Sequence, residues 1–124
     1  MTHQMKLFES PFEKIRSRQK TIELRLNDEK RQKIKVGDLI EFTQIETKEQ
    51  IIAEVVRLHR FSSFTELYQE LPLLKCGYTE KTVGSAKPED MDKYYSSEKQ
   101  KEYGVLGIEI KVINIPSNNE QHKD

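Results

Sequence analysis

Lys20-Thr21-Ile22-Glu23-Leu24-Arg25-Leu26, followed after a basic spacer by Gly37-Asp38-Leu39-Ile40-Glu41-Phe42, decides how this chain is read. Side chains of a strand alternate between its two faces. Ile22, Leu24 and Leu26 therefore share one face, and Thr21, Glu23 and Arg25 share the other, with Lys20 at the strand's start. A strand that served only solubility would not need both charge signs so close to an apolar face. Lys20, Glu23 and Arg25 thus form a candidate polar site on the rim of a sheet. The same charges also suit a solvated ion pair on an open face, which contributes little to stability.

Working outward, Met5 to Phe8 is predicted to be a short first strand. Ser10-Pro11-Phe12-Glu13 reads as a helix start: a serine cap, a proline at the first helical position and a glutamate closing a capping box. Phe8 would staple it, Phe12 and Ile15 would face inward, and the helix should end near Arg18. Lys20 to Leu26 is the first alternating strand. Asn27 to Lys35 suits a turn or a single helical turn, and Val36-Gly37-Asp38 turns the chain into a strand over Leu39 to Gln44. A polar hairpin connection then leads to a long β-branched strand from Gln50 to Phe61.

Ser63-Phe64-Thr65-Glu66 offers a second capping box, followed by Phe64, Leu67, Tyr68 and Leu71 at helical spacing, a stripe that suits a core face. Pro72 to Lys87 loses all periodicity and reads as a surface loop. Pro88-Glu89-Asp90 would open a last helix burying Met91, Tyr94 and Tyr95. Gly104 to Ile113 closes the fold as a strand with Leu106, Ile108, Ile110 and Val112 inward. The expected fold class is α+β: a small, mixed, partly closed β-barrel with helices packed at its ends. Residues 1–116 would make one domain. Residues 117–124, which contain no apolar side chain, would be a disordered tail.

A chain of 124 residues can bury one core without disulfides or metal. With 35% hydrophobic and 34% charged residues, it reads as a soluble protein with a charged surface. No apolar run has the length of a membrane span, and the N-terminus lacks the apolar core of a secretory signal. Cys76 is the single cysteine, so no internal disulfide forms and a reducing, cytoplasmic setting is expected. His3, His59 and His122 lack metal-ligand spacing, and there is no phosphate-cradling glycine loop or serine elbow. No cofactor or metal is expected. Nothing in the sequence bears on oligomeric state.

Formal net charge is zero, yet between Glu13 and Lys35 there are nine basic residues and four acidic ones. Such a local excess can neutralise phosphates, and it also suits a solvated helix-and-loop surface. A lysine against an apolar wall can act as base or nucleophile, although an adjacent carboxylate favours its ammonium form. Tyr94-Tyr95 and Tyr103 form a second cluster, able to offer stacking faces to bases with a hydroxyl donor. At helical spacing from Met91, Tyr94 and Tyr95 equally suit a core.

Lys20-Thr21-Ile22-Glu23-Leu24-Arg25, the basic spacer, Gly37-Asp38 before an apolar strand and the final Tyr103-Gly104-Val105-Leu106-Gly107-Ile108 together resemble the ASCH domain, a member of the PUA-like superfamily. The resemblance spans about residues 5 to 115. It implies a PUA-like barrel whose cleft is lined by Lys20 and Arg25 and which binds RNA or a nucleotide-like ligand. One small bacterial branch of the family resembles an amidohydrolase of acetylcytidine, using a lysine, a threonine and a later glutamate. Ribonuclease activity is associated with other members. Lys20 matches the hydrolase lysine and Arg25 its arginine, and Glu80 is the candidate for the later glutamate. The threonine's place is taken by Glu23, a carboxylate that cannot relay a proton as a hydroxyl does.

The resulting expectation is an RNA- or nucleotide-binding cleft formed by Lys20, Glu23 and Arg25, with Tyr95 or Tyr103 at its wall. The alternatives are a small hydrolase of a modified nucleoside or a ribonuclease, with Lys20, Glu23 and Glu80 as catalytic candidates. A third is a protein-interaction adaptor that uses the surface around Tyr68 and Tyr78.

Overall fold

The computed structural model describes residues 1–116, so the expected disordered tail lies outside the described residues. Five strands form one mixed sheet: β1 (Thr2–Leu7), β2 (Ile22–Leu26), β3 (Leu39–Gln44), β4 (Gln50–Phe61) and β5 (Val105–Asn114), in the order β1-β3-β4-β5-β2. β1 runs parallel to β3, and the remaining pairs are antiparallel. Register shifts between Ile52 and Ala53 and between Val55 and Arg57 mark irregularities in the β4–β5 ladder. Bulges of this kind bend a strand and increase its twist, so the sheet curls into a half-barrel whose two edge strands are β1 and β2. The α+β barrel expectation is met.

Apolar packing occupies both sides of the curl. Phe12, Ile15, Ile40, Phe42, Ile51, Val55, Leu106 and Ile108 belong to one buried cluster. Ile22, Leu24, Leu26, Phe64, Leu67 and Val105 belong to a second. Each such side chain contributes about 1.5–3 kcal/mol on full burial, so the sheet is a rigid frame. The two clusters lie on opposite faces of β2 and β5. Glu23 pairs with Ile108 and Arg25 with Leu106, and directly opposed residues share a face. Glu23 and Arg25 therefore point to the side of the first cluster, at the open seam of the half-barrel.

Among the described residues three α-helices accompany the sheet: α1 (Glu9–Arg16), α2 (Phe64–Glu70) and α3 (Ser97–Tyr103). α2 begins as its capping chemistry requires, with Ser63 Oγ accepting from Glu66 N at 3.2 Å. Gly104 follows α3 at φ +73, and a Cβ there would sit 2.8 Å from the Phe61 carbonyl oxygen, so the helix-to-strand corner requires glycine.

Several element boundaries differ from the sequence reading. β1 starts at Thr2, because its whole length pairs with β3. α1 begins one residue before Ser10, with Phe8 at the cap position and its carbonyl accepting from Phe12 N at 3.1 Å. Ser10 is therefore inside the helix, and Phe8, 64% exposed, staples nothing. β2 starts at Ile22, since Lys20 N and Thr21 N bond outside the sheet to Lys14 O and Lys75 O. The surface loop expected over Pro72 to Lys87 contains 3-10 turns at Leu73–Cys76 and Val83–Ser85, and Cys76 is buried. The single last helix is a 3-10 turn, Pro88–Lys93, plus α3, which Ser96 caps by accepting from Lys99 N. Among the described residues, no helix is long and apolar enough to cross a membrane.

A candidate ligand-binding cleft

A cleft of about 610 Å³ runs along the free edge of β2, bounded by the end of β1 and the start of α1 on one side and by residues 76–95 on the other. At its base Lys20, Glu23 and Arg25 come together. Lys20 Nζ lies 2.6 Å from Glu23 Oε1, and Arg25 Nε lies 2.7 Å from Glu23 Oε2. The carboxylate is the deepest of the three, its side chain 4% exposed against 11% for Lys20 and 15% for Arg25. Burial alone would raise the Glu23 pKa, but the charges and hydrogen bonds of Lys20 and Arg25 outweigh it and hold the carboxyl at about 2. Burial likewise opposes the Arg25 charge, but its acidic neighbours, Glu23 foremost, together outweigh it, so the guanidinium pKa is raised. Arg25 Nη2 also donates to the Lys6 carbonyl at 3.3 Å, tying the β2 edge to β1 across the seam.

The facing wall is aromatic. Tyr95 stacks on Phe64 with ring centroids 6.2 Å apart, and Tyr68 meets Tyr78 edge-on at 5.9 Å. Tyr78 donates to Asp90 Oδ2 at 2.7 Å, and its oxygen lies 2.7 Å from that of Tyr68. Since Tyr78 uses its one proton on Asp90, Tyr68 is the donor to Tyr78. Burial raises the Tyr95 pKa, while Arg25 acts in the opposite direction; the ring is thus within electrostatic reach of the base. Phe8 and Tyr94, 64% and 58% exposed, stand at the mouth. Lys14 crosses below it to donate to Gly77 O at 2.8 Å. The lining carries five cationic side chains against two carboxylates, in a chain of zero net charge.

Of the residues singled out in the sequence, Lys20, Glu23, Arg25 and Tyr95 meet in this cleft. Tyr103 does not: it lies in a separate surface groove with Asp28, Glu29, Lys30 and Lys99, its hydroxyl donating to Glu29 at 2.7 Å. Glu80 is exposed and does not line the cleft, where the carboxylate of that stretch is Asp90. Tyr68 and Tyr78, read as an adaptor surface, form part of the cleft wall. Asp90, Lys14 and Phe8 were not singled out as site residues. Only Asp90 carried a signal, as the third residue of Pro88-Glu89-Asp90. Cys76 also faces the base, but burial pushes its thiol up to about 11, so it is no ready nucleophile. No three His, Cys, Asp and Glu side chains among the described residues are grouped to hold a metal.

A curled mixed sheet with an ion-paired, aromatic-walled cleft at its seam defines a small α+β domain of the half-barrel type. The ASCH domain family model matches residues 5–114, and the chain belongs to that family. Hypothetical protein PH0355 is similar in structure, with a TM-score of 0.74 and 34% identity over 91% of this chain and 100% of its own. Protein PF0455 from Pyrococcus furiosus is also 34% identical, with a TM-score of 0.68 over 92% of this chain and 99% of its own. The ASCH protein from Zymomonas mobilis shares the fold at 13% identity, with a TM-score of 0.58 over 96% of this chain and 75% of its own. No curated protein matches the chain.

Proposed function

We propose that this chain is a binding module for RNA or a nucleotide-like ligand, which it holds in the cleft along β2. The observation that carries the reading is the base of that cleft: two cations, fixed by a buried carboxylate between them, face a wall of tyrosines. Fixed cations suit phosphate oxygens or base carbonyls, and aromatic faces suit bases. Unpaired RNA offers both groups to a pocket of this size, whereas the deep groove of a duplex does not. Glu23 acts by orienting Lys20 and Arg25.

Fluorescence anisotropy with a short single-stranded RNA tests this. Lys20→Ala and Arg25→Ala should each weaken binding by at least about tenfold, with circular dichroism confirming the fold. Unchanged affinity in folded variants would refute the reading. Hydrolysis has less support, because it needs Lys20 as a base while that ammonium lies 2.6 Å from Glu23. Release of acetate from acetylated nucleosides, or of cleaved RNA, would restore it.

A further inference from the structure

We propose that the group bound innermost in the cleft is the terminal phosphate of a nucleotide, with its base outermost at the aromatic mouth. The inference rests on the nucleotide-binding reading above and assigns the ligand its direction. The base of the cleft is rich in donors and poor in acceptors. Glu23 is the one carboxylate there, and both its oxygens are committed, one to Lys20 and one to Arg25. It is also less exposed than either cation. A base amino group entering first would meet ammonium and guanidinium instead of an acceptor. The Lys6 carbonyl, a second acceptor beside the cleft, is taken by Arg25 Nη2.

The free donors point to phosphate. Arg25 uses Nε on Glu23 and Nη2 on Lys6, which leaves Nη1 without a protein partner among the described residues. The Lys20 ammonium has three protons, and among the described residues Glu23 is its one partner. The free Nη1 of a guanidinium beside an ammonium offers charged donors to the tetrahedral oxygens of a phosphate. The excess of cations over carboxylates in the lining fits a dianion.

The other end of the cleft is built differently. Phe8 and Tyr94 are exposed at the mouth, and Lys93 Nζ sits 5.2 Å from the centre of the Tyr94 ring. Such rings stack on bases with little regard to identity. A terminal phosphate carries a second negative charge and a third free oxygen that an internal phosphodiester lacks, which suits the cation excess of the lining, so the phosphate there is a chain end. A free mononucleotide and the phosphorylated end of an RNA present the same chemistry to it.

Titration calorimetry of the wild-type chain separates the possibilities. The probes are the 5′-monophosphates of the four nucleosides, the nucleosides themselves, and an RNA hexamer with and without a terminal phosphate. Monophosphates should bind at least about tenfold tighter than their nucleosides. Affinity should rise with pH near 6, where phosphate gains its second charge, and fall with added salt. A phosphorylated hexamer that outbinds every mononucleotide identifies an RNA end as the source, and the reverse order identifies the free nucleotide. Arg25→Lys should narrow the monophosphate-to-nucleoside ratio, whereas Tyr94→Ala should lower both affinities by the same factor. Nucleosides that bind as tightly as monophosphates overturn the phosphate-inward direction and leave the cleft a binding site. Failure of every probe, the hexamers included, overturns both readings.

Discussion

The β2 wall of the cleft and the wall made by residues 72–95 are held in place by different forces. β2 is paired along its length to β5 and carries a carboxylate buried between two cations. Residues 72–95 contain no strand and no α-helix, only 3-10 turns joined by the Tyr68–Tyr78–Asp90 hydrogen bonds and by aromatic stacking. Sheet pairing and buried ion pairs fix positions to within the tolerance that charge recognition needs. Short turns linked through side chains on partly exposed rings can adjust to what they stack on. The charged wall should therefore set affinity and the aromatic wall should accommodate the base.

The largest test of this contrast removes the charge at the centre of the first wall. Glu23→Gln leaves Lys20 and Arg25 facing one another without their counter-ion, and breaking a buried pair in this way is strongly destabilising. The sign with pH follows from the titration. The Glu23 pKa falls from an ordinary 4.5 to about 2 in the folded chain. Between those values the unfolded chain binds more protons, so stability rises with pH there. The contribution is complete above the unfolded value and is lost as pH falls through the folded one. At about 1.4 kcal/mol per unit, it comes to about 3 kcal/mol. Urea unfolding at pH 7 should show that loss in Glu23→Gln, and the wild-type acid limb should flatten in the variant. Residual slope will remain from Asp38, held at about 2 by its hydrogen bonds from His3 and the Lys35 N–H. A variant as stable as wild type, with the same acid limb, would show that pairing to β5 alone holds this wall.

Gly77 lies where the two walls meet, and its substitution should couple them. Its φ of +111 disfavours any side chain, and a Cβ would come within 3.4 Å of Lys20 Cδ. Gly77→Ala should cost about 1–2 kcal/mol in unfolding and also weaken RNA binding, because the strained φ shifts the backbone against which the Lys20 side chain packs. Loss of stability without loss of affinity would mean that Lys20 is positioned from β2 alone. Tyr78→Phe acts on the second wall only. Losing the bond to the Asp90 carboxylate and the one from Tyr68, at a partly exposed site, costs about 1–2 kcal/mol. Hydrogen exchange should accelerate over residues 77–90 and stay unchanged in β2. Equal acceleration in both would erase the distinction between the walls.

That distinction also explains what could be read from the sequence. β3 and β4 were legible to the residue, because alternating Leu39–Gln44, the Gly37-Asp38 turn and the β-branched run after Gln50 all specify the same strands. α2 was legible from its serine cap and its period. Lys20, Glu23 and Arg25 were legible as a polar cluster, but not as a buried one. Their burial depends on the curl that brings β1 up to β2, and on residues 72–95 folding over the edge. The second wall had no period to read: its links run between side chains ten and twelve positions apart, from Tyr68 to Tyr78 and from Tyr78 to Asp90. A carboxylate was sought there at Glu80. Asp90 lines the cleft instead, because it ends the side-chain chain that begins at Tyr68.

The smallest expected effect comes from the tyrosine that the cleft leaves out. Tyr103 shares a motif with the start of β5 and looks in sequence like a partner of Tyr95. In the fold it is the last residue of α3 and donates to Glu29 on an exposed surface. Its hydroxyl pKa, raised to about 12 mainly by that bond, reflects a local contact with an acceptor and no link to Lys20 or Arg25. Tyr103→Phe should change unfolding free energy by no more than about 0.5 kcal/mol, the usual range for surface substitutions. RNA affinity should not change measurably. Should Tyr103→Phe weaken binding as much as Tyr94→Ala, the ligand must extend past the end of α3 into the groove of Asp28 and Lys30, and recognition would not be confined to the two walls beside β2.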